Sequence, residues 1–366
     1  MNKNIGLIST LQTNIGDDLI RLGIQRLIQD LFKESKIQYE IINKHKPLSI
    51  YPNFHPYRWA QHLPRGRRLI TSSIGKYLSL LGKNKFNKSD LIIQCGAPVA
   101  WPGCHNAEWV EPLWHQVVGR LASELPVMNL AAGSCYPWKD RNCIVSNLDS
   151  KDSSYLRDIL SYCSLTTARD KLAEDIFTHL GSKAPLLPCT AFVSAHGLPP
   201  ANLESDLILI NYMEGAGHWD WGQNIIYSEW QLTIKKLINS LHERYDLAFL
   251  CHSEEEYHLV KKVDPKIKRV WPKNIEEYFG LIASASAAVC NRMHATIGLA
   301  SIGIPSIAVG TDTRLYMVNE TGLPYFYVND ISFGKLENEL ENLIKTRFQN
   351  QEQLLELRKN TWIKYK

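Results

Sequence analysis

A chain of 366 residues exceeds the size at which one hydrophobic core usually stops growing, so two domains with a cleft between them are expected. Apolar residues at 45% and charged residues at 21% belong to a folded globular protein and exclude the disordered and fibrous classes. A formal charge of +4, with no basic stripe interleaved with stacking aromatics, argues against nucleic acid as a partner, and no stretch approaches the roughly 18 to 20 uncharged apolar residues of a membrane helix.

Met1-Asn2-Lys3-Asn4 leads straight into a short apolar strand instead of a signal-peptide core, which points to the cytoplasm. The eight cysteines contain no Cys-x-x-Cys pair and sit mostly in apolar runs, so neither a disulfide framework nor a structural metal is expected. Short apolar strands then alternate with helical patterns throughout, as in parallel sheets carrying crossover helices on both faces. Ligands of such sheets bind beyond the carboxyl ends of the strands, so the loops after strands are the places to look for chemistry.

The first strand, Ile5 to Ser9, leaves through a loop from Thr10 to Asp18. The loop carries Asn14-Ile15-Gly16-Asp17-Asp18 toward a helix with apolar positions at Leu19, Ile20, Leu22, Gly23, Leu27, Ile28 and Leu31. Gly16 permits close backbone approach, while Asp17 or Asp18 reads either as an ordinary helix cap or as part of a ligand-facing turn. No Gly-x-Gly-x-x-Gly pattern supports a dinucleotide site. Beyond the second strand, Gln38 to Ile42, the residues Arg58, Arg65, Arg67 and Arg68 suit a solvated loop or an acidic ligand or lipid headgroup.

The third strand, Leu91 to Cys95, ends in Cys95-Gly96-Ala97-Pro98, and the fourth, Val127 to Ala131, in Ala131-Ala132-Gly133-Ser134. Small residues such as Gly96 and Gly133 either admit a bulky ligand or let helices pack on strands. Trp101, Trp109 and Trp114 serve a hydrophobic core or offer flat surfaces to a sugar ring. A fifth strand, Leu165 to Ala168, is followed by Arg169, placed for a two-pronged contact with phosphate or carboxylate or for an ion pair with Asp170.

Pro185, Pro188, Gly197, Pro199 and Pro200 punctuate a linker near 196–204, dividing a first domain, 1–198, from a second, 199–334, and a helical tail, 335–366. Second-half strands are read at Leu207 to Asn211, Ala248 to Cys251, Ala287 to Cys290 and Ser306 to Val309. Glu214 and His218 follow the first of these, His252 the second, and Asp312 with Arg314 the fourth. After the third comes Asn291-Arg292-Met293-His294, a charged turn opening a helix rich in small residues: Ala295, Gly298, Ala300 and, just beyond, Gly303. Helix amides, a guanidinium and an imidazole together favour a bound anion and proton transfer near neutral pH, the alternative being a capping arginine and a core histidine.

The order Asn14-Ile15-Gly16-Asp17, Ala168-Arg169-Asp170, Arg292-Met293-His294 and Gly303-Ile304-Pro305 resembles the polysaccharide pyruvyl transferase family from about residue 5 to residue 315. The resemblance implies a GT-B-like fold, two Rossmann-like parallel-sheet domains facing a cleft. It also implies transfer of the enolpyruvyl unit of phosphoenolpyruvate to sugar hydroxyls as a pyruvate ketal. It carries Arg169, Arg292 and His294 to the donor as catalytic residues and puts Asn14, Gly16 and Asp17 on the acceptor side. Gly96, Gly133, Glu214, His252, Met293, Asp312 and Arg314 complete the candidate binding set. Phosphoenolpyruvate then serves as co-substrate, with no cofactor and no metal required, and the acceptor is a sugar or glycan, free or lipid-linked. The protein would work in the cytoplasm or at the inner face of the membrane. Cys95-Gly96-Ala97-Pro98 departs from the family pattern, where a glycine-richer turn is usual. A nucleotide-sugar glycosyltransferase and a non-catalytic glycan-pathway binding protein are the competing readings.

Overall fold

The computed structural model describes residues 2–11, 15–59, 72–217 and 220–366; Asn14, Arg65, Arg67, Arg68 and His218 therefore lie outside the described residues. The first sheet contains β1 (Asn2–Ser9), β2 (Lys36–Asn43), β3 (Leu91–Cys95), β4 (Pro98–Ala100), β5 (Val127–Ser134) and β6 (Leu165–Ala168). Its order is β2-β1-β3-β5-β4, with β6 paired to β5, and every pairing is parallel. The second contains β7 (Leu207–Asn211), β8 (Asp246–Leu250), β9 (Lys268–Val270), β10 (Ala285–Cys290), β11 (Ser306–Gly310) and β12 (Tyr325–Tyr327), in the parallel order β12-β11-β10-β7-β8-β9. The inner strands β3, β10 and β11 are buried at every residue, which is why they read as largely apolar runs broken only by Gln94, Ser286 and Ser306.

Three strands escape the pattern of the sequence. β4 opens on a proline and spans three residues, β9 is Lys-Arg-Val, and β12 is Tyr-Phe-Tyr. The last two lie at opposite edges of their sheet, where one side of the strand needs no partner and short or charged sequences are tolerated. β4 continues the line of β3 past Gly96, alongside β5, where Ala131 adopts a left-handed φ of 56°. A Cβ on Gly96 would stand 2.9 Å from the Ala131 carbonyl oxygen, so this glycine serves the close approach of two strands.

The first helix, Ile15–Leu31, begins earlier than its apolar periodicity suggests. Gly16, Asp17 and Asp18 are consequently in its first turn instead of a preceding loop, where acidic groups complement the helix dipole. Its buried face is Leu19, Ile20, Gly23, Ile24, Leu27 and Ile28, whereas Leu31 is exposed. The helix packs against both the first sheet and the second domain's helix Met293–Ala300. A Cβ on Gly298 would come within 2.8 Å of Leu19 Cδ1 and 2.5 Å of the Tyr278 hydroxyl.

The tail divides at Thr346 into helices Phe333–Lys345 and Arg347–Tyr365. The former packs on the second sheet and the latter returns to the first half of the chain. Trp362 stacks on His196 with centroids 3.7 Å apart and joins Leu27 and Val193 in a small core, while the Tyr365 hydroxyl donates to the Pro188 carbonyl at 2.9 Å. Where the chain first passes between the sheets, Arg347 Nε donates to Leu203 O at 2.8 Å and Gln351 Nε2 to Ala201 O at 2.9 Å. The two passages therefore lie side by side. All eight cysteines are free thiols, and no described helix is long and apolar enough to cross a membrane.

Candidate active site

A cavity of about 970 Å³ opens between the sheets. Its walls are the loops that follow β1 (Thr10), β2 (His45), β6 (Arg169), β7 (Met213), β8 (His252), β9 (Trp271), β10 (Asn291 to His294) and β11 (Thr311, Asp312, Arg314). Two parallel sheets thus present their carboxyl ends to one space. Of the candidates from sequence, Asp17, Arg169, His252, Arg292, Met293, His294, Asp312 and Arg314 line it. Gly16 is buried in the first helix, Gly96 sits between strands, and Glu214 is exposed outside the lining while its neighbours Met213 and Ala216 form part of the wall.

Two asparagines at strand ends shape the central turn. Asn211 Oδ1 accepts from the Arg292 backbone at 2.8 Å, and its Nδ2 donates to Leu250 O and Glu256 Oε2. Asn291 Oδ1 accepts from Met213 N at 2.8 Å and Trp230 Nε1 at 3.2 Å, while its Nδ2 donates to Val309 O at 2.9 Å. One side chain so joins the loops after β7 and β10 to β11 and fixes where Arg292 and His294 begin their helix.

Arg169 is 0% exposed. Its Nη1 lies 3.3 Å from His294 Nε2 and 4.0 Å from Cys189 Sγ, whereas its Nε and Nη2 are buried without a hydrogen-bond partner. The adjacent Asp170 does not supply one: its carboxylate accepts from Ser134 N and Oγ, both at 2.8 Å, and caps the following helix at Ala173 N. Leaving charged donors buried and unmet is costly, and an anion in the cavity would relieve it. The other two arginines are anchored. Arg292 Nε donates to the buried carboxylate of Glu256, and Arg314 forks onto Asp312 at 2.8 and 2.6 Å.

Burial, then the charges of Arg169, Arg314, His252 and Arg292, push His294 well below the usual imidazole pKa, so its ring is neutral at physiological pH in the unliganded cleft. Burial and Arg292 do the same to His252, which is 2% exposed and packs edge-on against Tyr278 at 5.5 Å. Both His252 ring nitrogens and the Tyr278 hydroxyl are buried without partners.

Several groups escaped the sequence reading. Lys44, just past β2, is buried with its ammonium 4.8 Å from the Trp109 ring centroid; burial first, offset in part by Asp17 and reinforced by Arg169, pushes it down to about 8. It and His45 occupy a strand-end loop that the same topological rule would have flagged. Trp271 and Lys273 follow β9, an edge strand without an apolar signature, and Cys189 lies 4.0 Å from His294 Nε2 through contacts no spacing predicts. Among the tryptophans, Trp114 is core, at 1% exposure, and Trp101 and Trp109 are half-buried.

Paired parallel α/β domains, with arginines and histidines gathered at the facing strand ends, define the class: a two-domain α/β fold with a charged cleft between its sheets. The chain belongs to the polysaccharide pyruvyl transferase family, whose model matches residues 14–313, and so to a family of transferases. In fold it is similar to UDP-GlcNAc 2-epimerase from Neisseria meningitidis bound to UDP-GlcNAc, at 12% identity and TM-score 0.53, covering 97% of this chain and 94% of that one. It is equally similar to UDP-GlcNAc 2-epimerase from Methanocaldococcus jannaschii, at 14% identity and TM-score 0.53 over 100% of both chains. The S. aureus MnaA–UDP structure matches at 11% identity and TM-score 0.52, covering 97% and 90%. At such identities these proteins share the GT-B fold with this chain and carry nothing about its reaction. No curated protein sequence matches the chain.

Proposed function

We propose that this transferase moves the enolpyruvyl unit of phosphoenolpyruvate onto two hydroxyls of a sugar or glycan, forming a pyruvate ketal and releasing phosphate. The observation that carries the reading is Arg169, wholly buried with two unmet donor nitrogens beside His294. Phosphoenolpyruvate bears a phosphate and a carboxylate and so needs more than one fixed cation; Arg292 and Arg314, held by Glu256 and Asp312, border the same space.

Burial first, and the arginines second, keep His294 neutral; the donor's negative charge offsets the arginines' share, so binding raises its pKa and brings a proton with it. That proton passes from His294 to the methylene carbon, leaving a cationic centre at the carbon bearing the phosphate oxygen. One sugar hydroxyl forms a bond there, and the carbon–oxygen bond to phosphate breaks, the departing phosphate taking that hydroxyl's proton. The second hydroxyl closes the ketal and returns its proton to His294. Arg169 offsets charge on the departing phosphate. Asp17 and His45 line the cavity from the first domain and form the acceptor side, with the buried Lys44 behind them in the electrostatic reach of Asp17 and Arg169. The work is done in the cytoplasm, and a lipid-linked acceptor would bring it to the inner face of the membrane.

Thermal-shift titration tests the donor. Phosphoenolpyruvate should stabilise the protein, and stabilisation by a nucleotide sugar alone would overturn the reading. H294A should abolish phosphate release while retaining the donor-induced shift; undiminished release would remove His294 from the chemistry.

A further inference from the structure

Charge is distributed unevenly along the chain. Residues 41–89 hold ten of the 41 lysines and arginines and none of the 37 acids, so the remainder is net acidic although the whole carries +4. The segment leaves β2 at the cleft wall, where His45 lines the cavity, and then builds an outer face of the first domain.

That face is also unusually apolar for a surface. Phe54 is 79% exposed, Trp59 63%, Ile74 62%, Tyr77 64% and Leu80 58%. They form one surface because the short helices Pro56–Trp59 and Ser73–Ser79 pack together, and the His55 ring hydrogen-bonds to the Leu81 carbonyl. Trp59 is held by Nε1 donating to Asn53 O at 2.9 Å, so its outward position is fixed. Arg58, Lys76, Lys83 and Lys85 flank these groups, Lys76 lying 3.9 Å from Glu111 and Lys85 3.1 Å from Glu40.

We propose that this face docks on an anionic lipid bilayer, Trp59 and Tyr77 entering the headgroup region with Phe54, Ile74 and Leu80 while the basic side chains meet lipid phosphates. Tryptophan and tyrosine suit the membrane interface, where one end of the ring is apolar and the other wet. Exposed aliphatic side chains in such company distinguish a bilayer from a nucleic acid, which would engage the cations and aromatics but not Ile74 or Leu80. Each lysine or arginine near an anionic surface strengthens partition about fivefold, an attraction that salt screens. The inference rests on exposure and charge and stands apart from pyruvyl transfer.

The test is sedimentation of the full chain, without donor or acceptor, with vesicles of phosphatidylcholine alone or mixed with phosphatidylglycerol. Binding should appear with the mixed vesicles and weaken at high salt. K76Q/K83Q should reduce partition about 25-fold, and W59S/Y77S should reduce it further while both variants keep the parent's phosphoenolpyruvate-induced thermal shift. Equal binding to both vesicle types, or parental binding by the variants, would overturn the proposal. So would a lipid-free dimer, seen by light scattering, that W59S/Y77S dissolves, because a second copy would then be the occupant. A failed donor shift with intact vesicle binding would remove the pyruvyl reading alone.

Discussion

Arg169 occupies the volume that a side chain at position 133 would need. A Cβ on Gly133 would overlap Arg169 Nε and come within 3.0 Å of its Cζ and 2.9 Å of Asp170 Oδ2. G133A should therefore displace the guanidinium, at about 1 to 3 kcal/mol of stability, and erase the phosphoenolpyruvate thermal shift; a variant that keeps that shift would show that Arg169 does not seat the donor. The two histidines make a separate prediction. Their folded pKa values lie below the unfolded value of about 6.5, so the unfolded chain binds more protons and stability is complete above that pH. Stability should drain as pH falls through that value, by up to about 1.4 kcal/mol per pH unit for each histidine. Denaturant melts across this range should show the decline, and H252N should make it shallower. Arg169, Arg292 and His294 were legible because charge directly after a buried apolar strand is conspicuous. Lys44 was not, because its burial depends on Trp109, 65 positions away by the numbering.

At the level of elements, the strands buried on both faces announced themselves, while β9 and β12 depend on the neighbour each pairs with and carry little signal of their own. The charged turn after β10 illustrates the same divide. Its position could be read from Ala-Val-Cys giving way to Asn-Arg, but the role of Asn291 as a clamp comes from partners 78, 61 and 18 positions distant. N291A would strand two donors and an acceptor, each at about 1 to 3 kcal/mol if left unmet. The expected result is a large loss of stability together with loss of turnover. N291D preserves both acceptor contacts and should recover part of the stability, which would separate the clamp from any direct part in the reaction.

For the whole molecule, the two-domain arrangement followed from length and from alternating strands and helices, whereas the return of the last helix did not, since its burial rests on Trp362 meeting His196 and Leu27 far back in the chain. That return has a mechanical consequence. The last helix acts as a strap, tying the chain's end to its crossing segment through Arg347 to Leu203 and Gln351 to Ala201. It adds to the packing of Leu19 on Gly298 and to the bonds that Thr313 Oγ1 makes with Ser134 and Tyr136 between the halves. Distances between spin labels on the two halves should form a narrow distribution. R347A/Q351A should broaden it without unfolding either half, and an unbroadened distribution would mean that the strap is idle. A frame so braced holds Arg169 and His294, which come from different halves, in register before any substrate arrives.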